Sequence, residues 1–211
     1  MNDDLELLSK WRGGDAHAGQ ELFRRHTQTL YRFFQNKAAG GVEDLVQQTM
    51  LACLQSHMQF EQRSSFRSYL LGVARYQLFD YYRRTKLDAE HLEFDTVTVH
   101  DLAISPSSQM AKAGEERILL EALRRLPINC QIALELSYWE ELTGPELAEI
   151  LEVPVDTAYS RLRRARQLLR EELAQLAESP EQLQATQTDL ARWASALRKP
   201  LSDGQPSDDN G

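Results

Sequence analysis

The stretch between residues 142 and 170 is the strongest constraint on the fold, because it carries the signals of two short helices with a tight break between them. Thr143 and Glu146 stand at the spacing of a capping box, and Pro145 falls in the first helical turn, where its missing N–H costs nothing. The break follows at Glu152-Val153-Pro154. Two helices joined by so short a connection predict a helix-turn-helix.

The second helix of this pair, which Asp156 or Thr157 can cap, carries five arginines and no acid between residues 157 and 170. At about 100° per residue, its small and apolar residues fall on one arc and most of its polar residues on the opposite arc. One face therefore packs, and the other is able to enter a DNA groove. The candidate duplex-contacting residues are Thr157, Tyr159, Ser160, Arg163 and Arg164. A surface helix with merely solvated arginines is the alternative, and the capped helix just before it argues against that alternative.

Charge is distributed unevenly along the chain, although the formal net charge is −8. Two basic segments, 63–86 and 157–170, hold 11 of the 24 basic residues and one of the 32 acidic residues, Asp80. The rest of the chain carries 13 basic and 31 acidic residues, a net charge of −18. Two basic segments in an acidic body predict contact with nucleic acid at two places and repulsion elsewhere. Two ordinary solvated helix faces are the alternative.

The composition predicts an all-α fold. Leucine, alanine, glutamine and glutamate are abundant and valine is scarce, a bias that favours helix over strand. With 42% hydrophobic residues among 211, the chain is able to bury a core. Helical periodicity runs from about Asp4 to Lys86 and again from about Ile118 to Arg170, with breaks that divide each part into four helices.

The breaks in pattern predict two small helical domains. The first covers residues 1–87 and the second, with the helix-turn-helix, covers 113–173. Between them, residues 88–112 have the acidic, serine- and proline-containing composition of a flexible linker. Residues 174–211 form an acidic C-terminal extension that we expect to be partly disordered.

The sequence also argues against several classes of protein. The five histidines show no metal-ligand spacing, and there is no phosphate-binding glycine loop or nucleophile motif, so we expect no metal, no cofactor and no enzymatic activity. Cys53 and Cys130 lack redox spacing and are expected in the core of a cytoplasmic protein. Residues 1–10 are too acidic for a signal peptide, and no apolar run approaches the roughly 18 residues of a membrane span.

Aromatic residues are concentrated between residues 60 and 82, which hold seven of the chain's 17 aromatics interleaved with arginines. A helical wheel turns Leu70, Val73, Ala74, Leu78 and Tyr81 inward and leaves Tyr69, Gly72, Arg75, Tyr76, Phe79 and Arg83 on the other side. Exposed aromatics beside arginines predict a surface on which unpaired bases stack. Packing of these aromatics between helices is the alternative.

These motifs together resemble the sigma-70 family of bacterial RNA polymerase sigma factors, specifically its small two-domain extracytoplasmic-function (ECF) group. The segment Asp44–Met50 resembles the region 2 helix that docks on core RNA polymerase. Phe66–Arg84 resembles the helix that melts and reads the minus-10 element. Leu126-Pro127 and Thr157–Arg166 resemble region 4, which reads the minus-35 element. The resemblance covers roughly residues 9–86 and 113–173.

The resemblance implies a transcription initiation subunit with core RNA polymerase and promoter DNA as partners, and it makes an anti-sigma factor a candidate partner. The implied core-polymerase contacts are Asp44, Leu45, Gln47 and Gln48. The implied contacts to the single-stranded minus-10 element are Arg63, Tyr69, Arg75, Tyr76 and Arg83. The implied contacts to the minus-35 duplex are the five residues of the second motif helix, Thr157, Tyr159, Ser160, Arg163 and Arg164.

The chain departs from the family pattern at three places. Gly72 stands where an arginine is usual, and Tyr76 stands where an asparagine that helps to read a minus-10 base is usual. Thr143-Gly144-Pro145 replaces the more usual serine, aromatic residue and acid at the start of the first motif helix. The departures at Gly72 and Tyr76 bear on which promoter is read rather than on the activity itself, and the capping residues show why a helix still begins at Thr143-Gly144-Pro145.

A helix-turn-helix repressor or activator that acts without stable binding to core polymerase is the alternative function. It explains residues 143–170 but leaves the aromatic and basic helix of the first domain without a role. Association with core polymerase separates the two hypotheses.

Overall fold

The computed structural model describes residues 2–56, 65–85, 93–102 and 115–177. Within these ranges the chain forms eight α-helices, and the one backbone bridge outside them joins Thr98 to Pro127. The helices are α1 (Asn2–Arg12), α2 (Ala16–Gln35), α3 (Val42–Ser56), α4 (Phe66–Thr85), α5 (Glu115–Arg124), α6 (Ile128–Trp139), α7 (Gly144–Leu151) and α8 (Val155–Leu176). The predicted all-α fold is confirmed.

Two of the first four helices, α2 and α4, begin at short polar side chains that cap them. Asp15 precedes α2, and its carboxylate accepts the backbone N–H groups of His17 and Ala18 at 3.0 and 3.2 Å. Ser65 precedes α4, and its Oγ accepts the N–H of Ser68 at 3.1 Å. Between the caps, the four helices bury a shared core of aromatic and aliphatic side chains that includes Phe34, Phe66, Leu70, Leu78 and Tyr82.

The helix-turn-helix of the second part is confirmed as α7 and α8. At the start of α7, the Glu146 carboxylate accepts the backbone N–H of Thr143 at 2.8 Å, as the capping box predicts. The predicted cap of the next helix is wrong, because α8 begins at Val155 with Pro154 as its cap residue and no side-chain cap bond. Asp156 lies inside the first turn instead, where its negative charge still favours the helix N-terminus.

Part of the predicted flexible linker is ordered, which corrects that expectation for residues 93–102. Phe94, Val99 and Leu102 are buried. The backbone pairs with the start of α6, since the N–H groups of Ile128 and Asn129 donate to the carbonyls of Val97 and Phe94, each at 3.0 Å. The acidic composition of this segment therefore gave no sign that three of its apolar residues would be buried. The remaining linker residues and positions 178–211 of the C-terminal extension lie outside the described residues.

The two halves of the chain pack directly on each other. α4 lies against α7, and the turn after α2 lies against α6. At the second contact, the Lys37 ammonium pairs with the Glu135 carboxylate, and the two side chains are 0% and 2% exposed. Cys53 and Cys130 are buried, as predicted, and burial raises the pKa of the Cys53 thiol to about 12. We call this arrangement the closed form.

Candidate functional site

The exposed side of α8 is a polar depression that we call the α8 face. Asp156, Tyr159, Ser160, Arg163 and Arg166 line it. All five side chains are exposed. They recur at helical spacing, so they project from one side of α8, opposite the buried Ala158, Ala165 and Leu169, while the buried Leu162 lies at the edge of the depression. An exposed, arginine-rich helix face with its opposite side anchored in a core is the arrangement that a duplex groove admits.

The predicted minus-35 residues occupy distinct places on α8. Tyr159, Ser160 and Arg163 lie on the α8 face, and Arg164 is exposed outside the depression. Thr157 is only half-buried, and its carbonyl accepts the Ser160 hydroxyl at 2.9 Å. Arg166 belongs to this face, although the sequence prediction omitted it. Its position seven residues after Tyr159, two helical turns on, was the available signal.

The exposed side of α4, which we call the α4 face, carries the predicted minus-10 residues but is partly covered. Tyr76 is 52% exposed and Arg83 is exposed. Tyr69 is half-buried, and Arg75 is only 8% exposed. Arg63 lies outside the described residues. The structure therefore leaves Tyr76 and Arg83 accessible and hides Arg75.

Arg75 and Tyr76 are both held by one acidic side chain from the turn after α7. The Arg75 guanidinium lies 3.4 Å from the Glu152 carboxylate, and the Tyr76 hydroxyl donates to the same carboxylate. Burial lowers the pKa of Arg75 from its usual value, which the Glu152 charge opposes. The hydrogen bond to Glu152 raises the pKa of Tyr76. One carboxylate thus engages both side chains in the closed form.

Glu152 holds this position in a left-handed backbone conformation, with φ 55°. Residues other than glycine, asparagine or aspartate adopt that backbone conformation at a cost of roughly 1 to 2 kcal/mol. The backbone N–H of Glu152 closes α7 on the carbonyl of Glu149 at 3.1 Å. The position therefore suits glycine as a helix cap, yet it holds the acid that contacts Arg75 and Tyr76.

Phe79 is not on an open stacking surface, which corrects the helical-wheel prediction. It is 5% exposed and stacks on Phe94 with ring centroids 3.8 Å apart. The Arg75 guanidinium covers it from another side, 4.6 Å from the ring centroid. Tyr82, which the wheel did not place in the core, is fully buried, and its hydroxyl donates to the Lys37 carbonyl at 3.0 Å.

The predicted polymerase-binding residues lie on α3, where Asp44 and Gln47 are exposed and Gln48 is half-buried. Leu45 is 3% exposed and belongs to the core, so its prediction as a contact residue is wrong. Leu51 and Leu54 are instead the exposed apolar residues of this helix, 56% and 43% exposed. They follow Gln47 by four and seven residues and share its side of α3. We call Asp44, Gln47, Leu51 and Leu54 the α3 strip.

Within the described part of the chain, no group of three or more histidine, cysteine, aspartate or glutamate side chains could hold a metal ion. No helix there is both long enough and apolar enough to cross a bilayer.

Two sequence models of the sigma-70 family match this chain. The model of sigma-70 region 2 matches residues 22–87, and the model of sigma-70 region 4 matches residues 116–169. The ECF RNA polymerase sigma factor SigX of Bacillus subtilis is 29% identical over 167 residues, which cover 73% of this chain and 86% of SigX. The ECF RNA polymerase sigma-E factor of Haemophilus influenzae is 27% identical over 190 residues, which cover 82% and 96% of the two chains.

Two solved structures share the fold. CnrH in complex with the cytosolic domain of CnrY superposes with a TM-score of 0.59 and 22% identity, over 84% of this chain and 99% of that one. The sigma factor RpoE in complex with the anti-sigma factor NepR from Bartonella quintana superposes with a TM-score of 0.56 and 22% identity, over 74% and 96%. At this identity the likeness shows the fold alone.

Proposed function

The chain belongs to the sigma-70 family as an ECF sigma factor, and from this premise we propose how its three surfaces divide the work of binding core RNA polymerase and opening a promoter. The α8 face binds the minus-35 duplex, the α4 face binds the separated minus-10 strand, and the α3 strip binds core polymerase. The subunit has no catalytic role of its own and acts in the cytoplasm. Residues 1–87 and 113–173 are the two working domains, with 88–112 as the connection and 174–211 as an extension.

At the minus-35 element, α8 enters the major groove with Arg163 and Tyr159 toward the bases. Arg163 is free to make a bidentate contact to a guanine edge, while Ser160 and Arg164 contact base edges or phosphates. Asp156 lies on the α8 face in the first turn of the helix. Its charge repels phosphate there and helps to set the register of α8 along the duplex. Arg166 extends the basic surface along the duplex backbone.

At the minus-10 element, Tyr76 stacks on an unpaired base while Arg75 and Arg83 hold the strand. Each stacked base contributes about 1 to 3 kcal/mol, which offsets the few kcal/mol that unpairing costs. Arg75 is able to do this only after Glu152 has left it, because the two groups are 3.4 Å apart in the closed form. Tyr76 and Arg83 are accessible in the closed form, so separation of the two domains is needed to free Arg75 for the strand.

At core polymerase, the α3 strip offers two exposed leucines flanked by Asp44 and Gln47. Apolar side chains ringed by polar ones are the usual centre of a protein–protein contact. The proposal predicts that Leu51→Gln weakens binding to core polymerase. Leu5→Gln is the matched control, because Leu5 is also an exposed leucine, 39% exposed on α1, and lies outside the strip.

An anti-sigma factor is the regulatory partner that we propose for this chain. The similar sigma factor RpoE was solved with the anti-sigma factor NepR, and CnrH with the cytosolic domain of CnrY. The closed form supports such regulation, since a partner that binds both domains at once would hold Glu152 on Arg75. A partner that binds the open form would have the opposite effect.

The observation that carries this function is that the two family regions, in family order, each coincide with one basic helix face. The test is reconstitution of the full chain with core polymerase, followed by transcription from a library of genomic promoter fragments. We expect stable association with core and initiation from promoters that share a minus-35 and a minus-10 element. Tight duplex binding without any association with core would favour the helix-turn-helix regulator instead.

A further inference from the structure

The ring of Tyr159 crosses from α8 to the first residue of α7. A Cβ atom built on Gly144 would lie 2.2 Å from Cζ of Tyr159, 2.4 Å from its hydroxyl oxygen and 2.6 Å from Cε1. Cβ atoms do not approach other heavy atoms within 3.0 Å, so position 144 has no room for a side chain while the ring stays there. The hydroxyl end of the ring therefore occupies the space that any side chain at position 144 would fill.

The backbone does not require glycine at position 144. The glycines with positive φ in the described part of the chain are Gly14 and Gly41, and Gly144 is not among them. Glycine is also a weak helix former compared with alanine, so its use at the start of α7 destabilises that helix. The close approach of Tyr159 is the feature of the structure that accounts for Gly144.

We propose that Gly144 is a positioning residue for Tyr159 and thereby helps to determine which minus-35 sequence the protein prefers. This inference rests on the proposed role of the α8 face. Tyr159 remains 50% exposed, so one part of the ring is fixed against α7 and the other part is presented to the groove. Apolar ring atoms at this place suit the methyl group of a thymine.

Fixing the ring before DNA arrives has two consequences. The side chain loses little conformational freedom on binding, which strengthens the complex. Arg163 lies one turn further along the same face, so a ring held against α7 stays clear of the guanidinium. Any side chain at position 144 would push the ring away from α7 and out over the α8 face, because the ring end is the part that is able to move.

The experiment is a double-mutant cycle in the full chain with Gly144→Ala, Tyr159→Ala and the double variant. Binding is measured to a minus-35 duplex and to a set of duplexes with each base pair changed in turn, and the midpoint of thermal unfolding is recorded for each variant. We expect Gly144→Ala alone to weaken binding about 2- to 10-fold. We also expect it to alter preference at the same base pair that Tyr159→Ala affects.

In the Tyr159→Ala background, the same glycine change should leave binding and base preference unaltered. There, the gain in Tm from Gly144→Ala should exceed the gain in the parent background by about 2 to 4 °C, because alanine then meets no ring. Gly40→Ala is the matched control, since nothing lies within 4 Å of a Cβ at that glycine. It should change neither binding nor base preference.

Equal, additive losses of binding in the two backgrounds would overturn the proposal, as would an unchanged base preference in Gly144→Ala. Failure of the underlying function gives a different result. If Arg163→Ala also left duplex binding unchanged, the α8 face would not be the minus-35 surface, whereas the coupling in Tm between positions 144 and 159 would still be seen.

Discussion

The α8 face and the α4 face carry similar chemistry, arginines beside tyrosines, but the closed form treats them differently. Tyr159, Ser160 and Arg163 are exposed. Arg75 is buried, and Tyr76 is tied to the same carboxylate as Arg75. The proposed duplex-binding surface is thus fully exposed in the closed form, whereas the proposed strand-binding surface exposes Tyr76 and Arg83 but covers Arg75. This difference matches the order of initiation, in which paired DNA is met before it is opened.

The two contacts that join the halves of the chain, one at α6 and one at α7, also differ. Lys37 and Glu135 form a fully buried ion pair, whereas Glu152 is 55% exposed and sits in a left-handed conformation. The Nε atom of Arg75 is buried with no hydrogen-bond partner among the described residues. At the α6 contact Asn36 Oδ1 and Gln131 Oε1 are likewise buried without a partner among the described residues. The two contacts therefore differ in exposure and backbone strain, and on that ground we expect α7 to release α4 more easily than α6 releases the turn after α2.

The largest effect on the packing of the two domains is expected from Glu135→Ala. The change leaves Lys37 as an uncompensated charge in the closed form, which costs about 3 to 5 kcal/mol. Burial already lowers the pKa of Lys37, so the lysine gains by becoming hydrated. We expect the domains to separate, with an increased radius of gyration in small-angle X-ray scattering and faster hydrogen exchange in α6.

The paired variant Lys37→Met with Glu135→Leu is the control for that prediction. Two apolar side chains of similar size replace the charges, so the closed form should return. An equally compact Glu135→Ala protein would show that this ion pair does not hold the domains together.

A smaller effect is expected from a substitution on the α8 face. Arg163→Ala should cost about 1 to 3 kcal/mol of minus-35 duplex binding and relax preference at one base pair. The effect should be the same in closed and opened protein, because the α8 face is exposed in both. Fluorescence anisotropy with labelled duplexes measures it at fixed salt.

Arg24→Ala removes the same charge from an exposed arginine on α2 and serves as the control. A loss of affinity in Arg163→Ala that is uniform across all sequences would assign Arg163 to phosphate rather than to a base. No loss at all would remove it from the interface. Arg164→Ala, outside the depression, tests whether the basic surface extends beyond the α8 face.

Glu152→Gly should loosen only the α7 contact. It removes the carboxylate from Arg75 and Tyr76, which is worth about 1 kcal/mol for a half-exposed group, and it relieves roughly 1 kcal/mol of backbone strain. We expect the free protein to bind a single-stranded minus-10 oligonucleotide several-fold more tightly and to unfold no earlier. Glu149→Gln, an exposed acid on the same helix, is the charge control. Unchanged oligonucleotide binding would show that Glu152 does not restrict the α4 face.

The two faces also differ in how far the amino-acid sequence alone could predict their structure. Thr143 and Glu146 interact within one helical turn, so the helix-turn-helix and its open face followed from local pattern. The cover of the α4 face and the packing of the two halves depend on distant partners. Phe79 stacks on Phe94 from a segment with acidic composition, and Lys37 pairs with Glu135 across 98 positions. A helical wheel shows that a side is apolar but not what packs against it. Leu45 was named as a contact from the resemblance, although its apolar position on α3 already suited the core.

The smallest expected effect comes from Tyr76→Phe, which separates the two roles of that side chain. The ring that stacks on a base is retained, and only the hydroxyl that donates to Glu152 is lost. A single hydrogen bond of this kind contributes about 0.5 to 1.5 kcal/mol, so the closed form weakens slightly while the α4 face keeps its stacking surface. We expect binding of the single-stranded minus-10 oligonucleotide to increase by about two- to fivefold in the free protein. In the Glu152→Gly background the same change should have no effect, because the acceptor is already absent. Weaker binding in both backgrounds would instead mean that the hydroxyl contacts DNA, and the closed form would then compete with the promoter for that one group.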